Sequence, residues 1–136
     1  MRFWDSSALL PLCVQESATR DPAMAVWWGA TVECVSAISR LRREGVLTDD
    51  QERAACHTLS QLANGWWDIQ PGEAVRNLAV RLLRVHPLRA ADALQLAAAL
   101  VWAAEMGEAA VIVTLDHHLA AVAAREGLVV EGLRPA

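Results

Sequence analysis

Short apolar runs alternate with longer helical stretches along the chain, and that alternation predicts parallel α/β architecture. Arg2 to Asp5, Val26 to Ala30, Trp67 to Gln70, Val111 to Leu115 and, most weakly, Leu128 to Glu131 read as strands. Helices are expected to fill the intervals. Thr48-Asp49-Asp50-Gln51 matches a capping box, in which the threonine hydroxyl and glutamine side chain satisfy orphan amides reciprocally, so a helix is expected from there to Asn64-Gly65. Glu73 to Val85 forms another. Pro87, tolerated in a first turn, opens an alanine-rich helix that ends near Met106-Gly107, and a last helix runs from Asp116 to Gly127. No linker, low-complexity tract or internal repeat interrupts the pattern, so residues 1–136 read as a single α/β domain with a central parallel sheet of four to five strands.

Composition narrows the function. Apolar residues make up 54% of the chain, yet the longest nearly continuous run, Ala93 to Ala104, contains Gln95 and is shorter than the roughly 18 residues that span a bilayer. The acid at position 5 stands where a secretory signal would be apolar, so the expected location is the cytoplasm, with no membrane partner. The cysteines Cys13, Cys34 and Cys56 have no Cys-x-x-Cys spacing and are expected to pack as small apolar groups rather than bind zinc. A net charge of −4 is unusual for a nucleic-acid enzyme, unless divalent ions convert an acidic pocket into one that attracts phosphate. All 12 basic residues are arginine, which excludes a phosphate-binding loop with its obligatory lysine and weakens an aspartyl-phosphate phosphatase reading.

Four acids occupy places where a carboxylate is hard to explain structurally. Asp5 and Asp116 end apolar strands and therefore share one rim of the sheet, where ligands of open α/β sheets collect. Glu33 and Asp92 interrupt apolar helical runs near the starts of their helices, where a lone charge is costly to bury unless something compensates it. A bound cation is the economical compensation.

These residues resemble the PIN domain ribonucleases and, among them, the VapC toxins of prokaryotic toxin–antitoxin pairs. Phe3-Trp4-Asp5-Ser6-Ser7-Ala8-Leu9 resembles the opening strand and metal-binding aspartate, and Thr31-Val32-Glu33 the second acidic motif. Leu88-Arg89-Ala90-Ala91-Asp92-Ala93-Leu94-Gln95-Leu96-Ala97 resembles the third motif most closely, and Val113-Thr114-Leu115-Asp116 with the helix after it the fourth. The chain departs from the pattern at Ala30, where serine or threonine is common, and at His118, where Asn or Asp is; its segment from Glu16 to Val26 is also short. The resemblance implies a three-layer α/β/α PIN fold and a Mg2+- or Mn2+-dependent endoribonuclease with Asp5, Glu33, Asp92 and Asp116 as catalytic metal ligands. It also implies RNA of the tRNA or rRNA class as substrate, an antitoxin partner held in an apolar groove, and a homodimer. The alternatives are a housekeeping PIN nuclease and a catalytically silent PIN-like module that binds RNA or protein.

The chemistry suits that set. Magnesium and manganese take oxygen ligands, and a bound ion would acidify a water and stabilise charge on a phosphodiester under attack. Without it, clustered carboxylates raise one another's pKa, so stability is expected to depend on metal. Ser6 either contacts substrate or metal-bound water, or only starts a helix; Thr114 is a candidate for the same shell. Arg89 either pairs along its helix or meets RNA, and His117 and His118 are either exposed helix-start residues or phosphate contacts. Arg40, Arg42 and Arg43 complement the dipole at a helix end or bind phosphate. Neighbouring side chains on a strand point to opposite faces, so one member of each pair, Trp27-Trp28 and Trp66-Trp67, is expected at the surface.

Overall fold

The computed structural model describes residues 1–15, 21–107 and 109–132. In chain order the elements are β1 (Arg2–Trp4), α1 (Ser6–Val14), β2 (Met24–Trp27), α2 (Ala30–Arg43), α3 (Asp49–Gly65), β3 (Trp67–Ile69), α4 (Glu73–Val85), α5 (Ala90–Met106), β4 (Val111–Val113), α6 (His117–Arg125) and β5 (Val129–Glu131). The strands form one parallel sheet in the order β3-β2-β1-β4-β5, with Phe3 between Ala25 and Ile112 and Trp4 between Val26 and Val113. This is the expected α/β class with five strands.

The chain moves outward from β1 through β2 to β3, then returns across the sheet to β4 and continues to β5. Right-handed crossovers therefore place α1, α2 and α3 on one face and α4, α5 and α6 on the other, giving three layers. Within each face the helices pack on one another, and α5 also lies against β2. The strand order reverses between β1 and β4, so a crevice opens beyond their carboxyl ends. The core beneath it joins Phe3, Val26 and Ile112 of the sheet to Ile38 and Leu96 from opposite layers. Truncating a fully buried residue such as Leu96 to alanine costs about 2–5 kcal/mol.

Local chemistry fixed several boundaries as expected. Thr48 and Gln51 complete both halves of the capping box at α3, and α4 spans the expected Glu73–Val85. Others shift. β2 starts two residues before its expected start, at Met24, and ends at Trp27, because the chain leaves the strand at Trp28, whose amide bonds to the Ile69 carbonyl at 3.1 Å. The Trp27 indole then folds over Gly29, where a Cβ would meet its nitrogen at 2.5 Å; only glycine fits this turn into α2. Strands β1 and β4 stop before Asp5 and Thr114, which lie in the turns beyond them, and β5 begins one residue late. Pro87 lies outside α5, which starts at Ala90 with Arg89 as its N-cap. Of the segment from Glu16 to Val26, residues 16–20 lie outside the described part.

Cys13 and Cys34 are buried, and burial pushes their thiols up to about 11 and about 12, in keeping with packing as apolar groups. Trp27 is buried while Trp28 is exposed, and Trp67 is exposed beside a half-buried Trp66. Among the described residues no helix is long and apolar enough to cross a membrane.

Candidate active site

The buried polar side chains among the described residues are Asp5, Gln95 and Thr114. Asp5 and Thr114 stand just beyond the ends of β1 and β4, and Gln95 reaches Ser6 and Glu33 from α5. Asp5 caps α1 immediately after β1, and its amide continues the sheet by bonding to the Val113 carbonyl at 3.0 Å. Its Oδ2 accepts hydrogen bonds from the Ser7 hydroxyl at 2.5 Å and the Thr114 hydroxyl at 2.9 Å. Burial drives the Asp5 pKa above the ordinary carboxylate range, against the downward pull of those two hydroxyls.

Thr114 also accepts from the Asp116 amide at 3.1 Å, so a single hydroxyl ties the two strand-end aspartates into one turn. Asp116 is the N-cap of α6: its Oδ1 accepts the amides of His118 at 2.9 Å and Leu119 at 3.1 Å, which leaves Oδ2 for other partners. Glu33 arrives from the first turn of α2, half-buried, with its Oε2 accepting from the Ser6 hydroxyl and the Gln95 amide. Burial raises its pKa most; Ser6 and Gln95 oppose the rise, and the charges of Asp5 and Asp92 add to it. Asp92 comes from the first turn of α5 on the opposite layer. Its pKa is raised by burial and by Asp116, while nearby Arg89 and His118 pull it down.

The fold thus brings all four predicted acids to one rim, two from the sheet and one from each layer. Their charges are linked in series: those of Asp5 and Asp92 act on Glu33, and that of Asp116 acts on Asp92. Among the described residues no three His, Cys, Asp or Glu side chains stand together as a group that could hold a metal ion. Asp5 is held by two hydroxyls and Asp116 by the first amides of α6. Among the described residues none of the four acids has an ion-pair partner. An all-oxygen set of uncompensated carboxylates fits Mg2+ or Mn2+ by donor chemistry, because magnesium keeps several waters and needs only one or two carboxylates.

A cavity of about 560 Å³ opens beside Asp92 and Asp116, lined also by Leu83, His86, Pro87, Leu88, Arg89 and His118. Among the described residues Arg89, the N-cap of α5, makes no ion pair with Asp92, although its charge helps to lower the Asp92 pKa. His117 and His118 are exposed, and His118 Nε2–H donates to the Pro87 carbonyl, joining α6 to the loop before α5. Arg42, at the end of α2, pairs with Asp49 and Glu52 of α3.

Ser7 and Gln95 are the site residues that sequence reasoning passed over. The hydroxyl two residues after a strand-end aspartate was one available signal, and the lone amide in the apolar core of α5 was the other. No protein-family model matches the chain, and no curated protein matches it by sequence. Among solved structures, a chain of the "Toxin-antitoxin complex from Klebsiella pneumoniae" is similar at 17% identity with a TM-score of 0.55, the match covering 85% of this chain and 87% of that one. A likeness at that identity carries the fold, and the fold is shared over most of both chains.

Proposed function

We propose that this protein is a Mg2+- or Mn2+-dependent endoribonuclease acting as the toxin of a toxin–antitoxin pair. The observation that carries the reading is the placement of Asp5, Glu33, Asp92 and Asp116 around the crevice where the strand order reverses, with no cation of the protein paired to any of them among the described residues. The similar chain from a toxin–antitoxin complex supports the toxin role.

Asp5, the free Oδ2 of Asp116, Asp92 and Glu33 would hold the ion with water completing its shell. When bound, it supplies an acidified water and charge stabilisation at the phosphate under attack. Ser7 and Thr114 hold Asp5, and through Thr114 the turn that carries Asp116. Arg89 lines the adjoining cavity beside His118, where the guanidinium would offer positive charge to the phosphates of an RNA strand lying past Asp92. Glu33 or Asp92 takes the proton of the attacking water. An exposed apolar surface at the β2–α2 junction, with Trp28 at 52% and Val32 at 69% exposure and Val35 one turn on, suits a protein partner such as an antitoxin or a second copy of the chain. The linked rather than clustered carboxylates favour one second reading, a PIN-like module that binds RNA without cutting it.

The test is cleavage of a mixed tRNA and ribosomal RNA pool with Mg2+ or Mn2+ by wild type, Asp5→Asn and Asp92→Asn. Metal-dependent cutting lost in both variants is the expected result, by about 100-fold or more. Equal cutting by all three would remove the quartet from the chemistry, and binding without cutting would establish the second reading.

A further inference from the structure

We propose that Gln95 is a positioning residue for Glu33, holding one carboxylate oxygen so that the other is presented to the crevice. The inference rests on the metal-nuclease reading and adds to it a residue outside the acidic quartet.

Gln95 follows Asp92 by three positions on α5, so both lie on one side of that helix. It is 1% exposed and is flanked on α5 by the buried Ala93, Leu96 and Ala97. An apolar side chain of similar volume would pack there without the desolvation of an amide. The amide is nonetheless committed: Nε2 donates to Ser6 Oγ and to Glu33 Oε2, and Ser6 Oγ donates to the same Glu33 oxygen. Side chains from α1, α2 and α5, drawn from both layers, therefore close a triangle on one carboxylate oxygen.

Gln95 Oε1 has no hydrogen-bond partner. Turning the amide over does not help, because it would set that oxygen against Glu33 Oε2, one acceptor facing another. The fold thus keeps an unsatisfied buried carbonyl in order to aim two N–H donors at Glu33 and Ser6. A triangle serving only to tie three helices together needs no carboxylate at its apex, and burial makes a carboxylate an unfavourable choice there. With Oε2 held by two donors, Glu33 cannot rotate freely, and Oε1 is the oxygen left for an ion or its water.

The experiment is Mn2+ titration by calorimetry on the full chain for wild type, Gln95→Leu, Ser6→Ala, Glu33→Gln and the Gln95→Leu/Glu33→Gln double variant. Residues that orient metal ligands typically contribute 10–100-fold in metal affinity, so Gln95→Leu is expected to raise the Mn2+ Kd about 10-fold, and Ser6→Ala to weaken binding in the same direction. In the Glu33→Gln background the leucine is expected to add less than about twofold, because its partner is already gone. Ser6→Ala leaves the core untouched and keeps the test valid if Gln95→Leu folds poorly. A second readout needs no metal: the side-chain amide signal of 15N-glutamine-labelled Gln95 is expected to be protected from exchange and to shift in Glu33→Ala. Wild-type Mn2+ binding in Gln95→Leu and Ser6→Ala, an undiminished leucine effect without Glu33, or an unprotected amide would each overturn the role alone. A protected amide in a wild-type protein that takes up no Mn2+ would overturn the metal-nuclease reading and the role with it.

Discussion

Two sets of carboxylates in this molecule are treated in opposite ways. Asp21 accepts from Arg2 Nε at 2.8 Å and from the Trp4 indole at 2.7 Å, and Glu126 accepts from Arg81 at 2.6 Å and His86 at 2.8 Å. The arginine in each case lowers the carboxylate pKa, with smaller help from the second donor. Asp5, Glu33 and Asp92 lie in the crevice with no arginine paired to them, and burial raises all three. Asp5 and Glu33 are held by hydroxyls and one amide instead. Neutral donors fix where a carboxylate points without cancelling its charge, so the rim is positioned without being neutralised. The chain has 12 arginines and places none of those described in an ion pair with the rim, which separates a site from a staple.

The comparison breaks most visibly on adding metal. At free Mn2+ about 100 times Kd, linkage gives about 2.7 kcal/mol of stabilisation, a rise of about 5–10 °C in Tm by scanning calorimetry, and Asp5→Asn is expected to abolish most of it. An unchanged wild-type Tm would mean that the rim does not differ from ordinary buried acid. Next, Asp5→Asn without metal is expected to stabilise the protein at pH 7 by about 0.5–2 kcal/mol in urea unfolding, since it removes a buried charge with no ion-pair partner. Arg2→Ala should do the opposite, losing about 0.5–1 kcal/mol, because it strips the cation from Asp21 and Glu131 in a half-exposed setting. Equal signs for these two variants would erase the distinction between the sets.

The smallest effect is in pH dependence. A carboxylate whose folded pKa is raised destabilises the fold once ionised, so the metal-free protein should gain stability as pH falls from neutral through the raised pKa values of Asp5, Glu33 and Asp92 toward the ordinary carboxylate range. Below that range the sign reverses, because Asp21 and Glu126 have lowered pKa values and their contribution is lost as they protonate. Urea midpoints across mildly acidic pH are expected to pass through a maximum, and Asp5→Asn to flatten its neutral side.

The parts of the fold readable in the sequence were those set by neighbours in the chain. The Thr48–Gln51 box, the limits of α4 and the parallel class each follow from periodicity and capping within a few residues. The rim was readable for the same reason: strand ends and first helical turns locate Asp5, Asp116, Glu33 and Asp92. The limits of β2 were not, because its start depends on pairing with β1 and its end on Trp27 closing over Gly29. Pro87 marked a helix start three residues early because His118, distant in sequence, binds its carbonyl in an extended loop. Gln95 was seen only as a break in an apolar run, since its partners Ser6 and Glu33 lie 89 and 62 residues away.

Asp116 holds the first turn of α6 with one oxygen while its other is free for a cation. A ligand that draws this carboxylate outward loosens the helix start, and one that anchors it damps local fraying there. The amide protons of His118 and Leu119 are therefore a gauge of occupancy built into the backbone, and their rates of hydrogen exchange would register a bound ion.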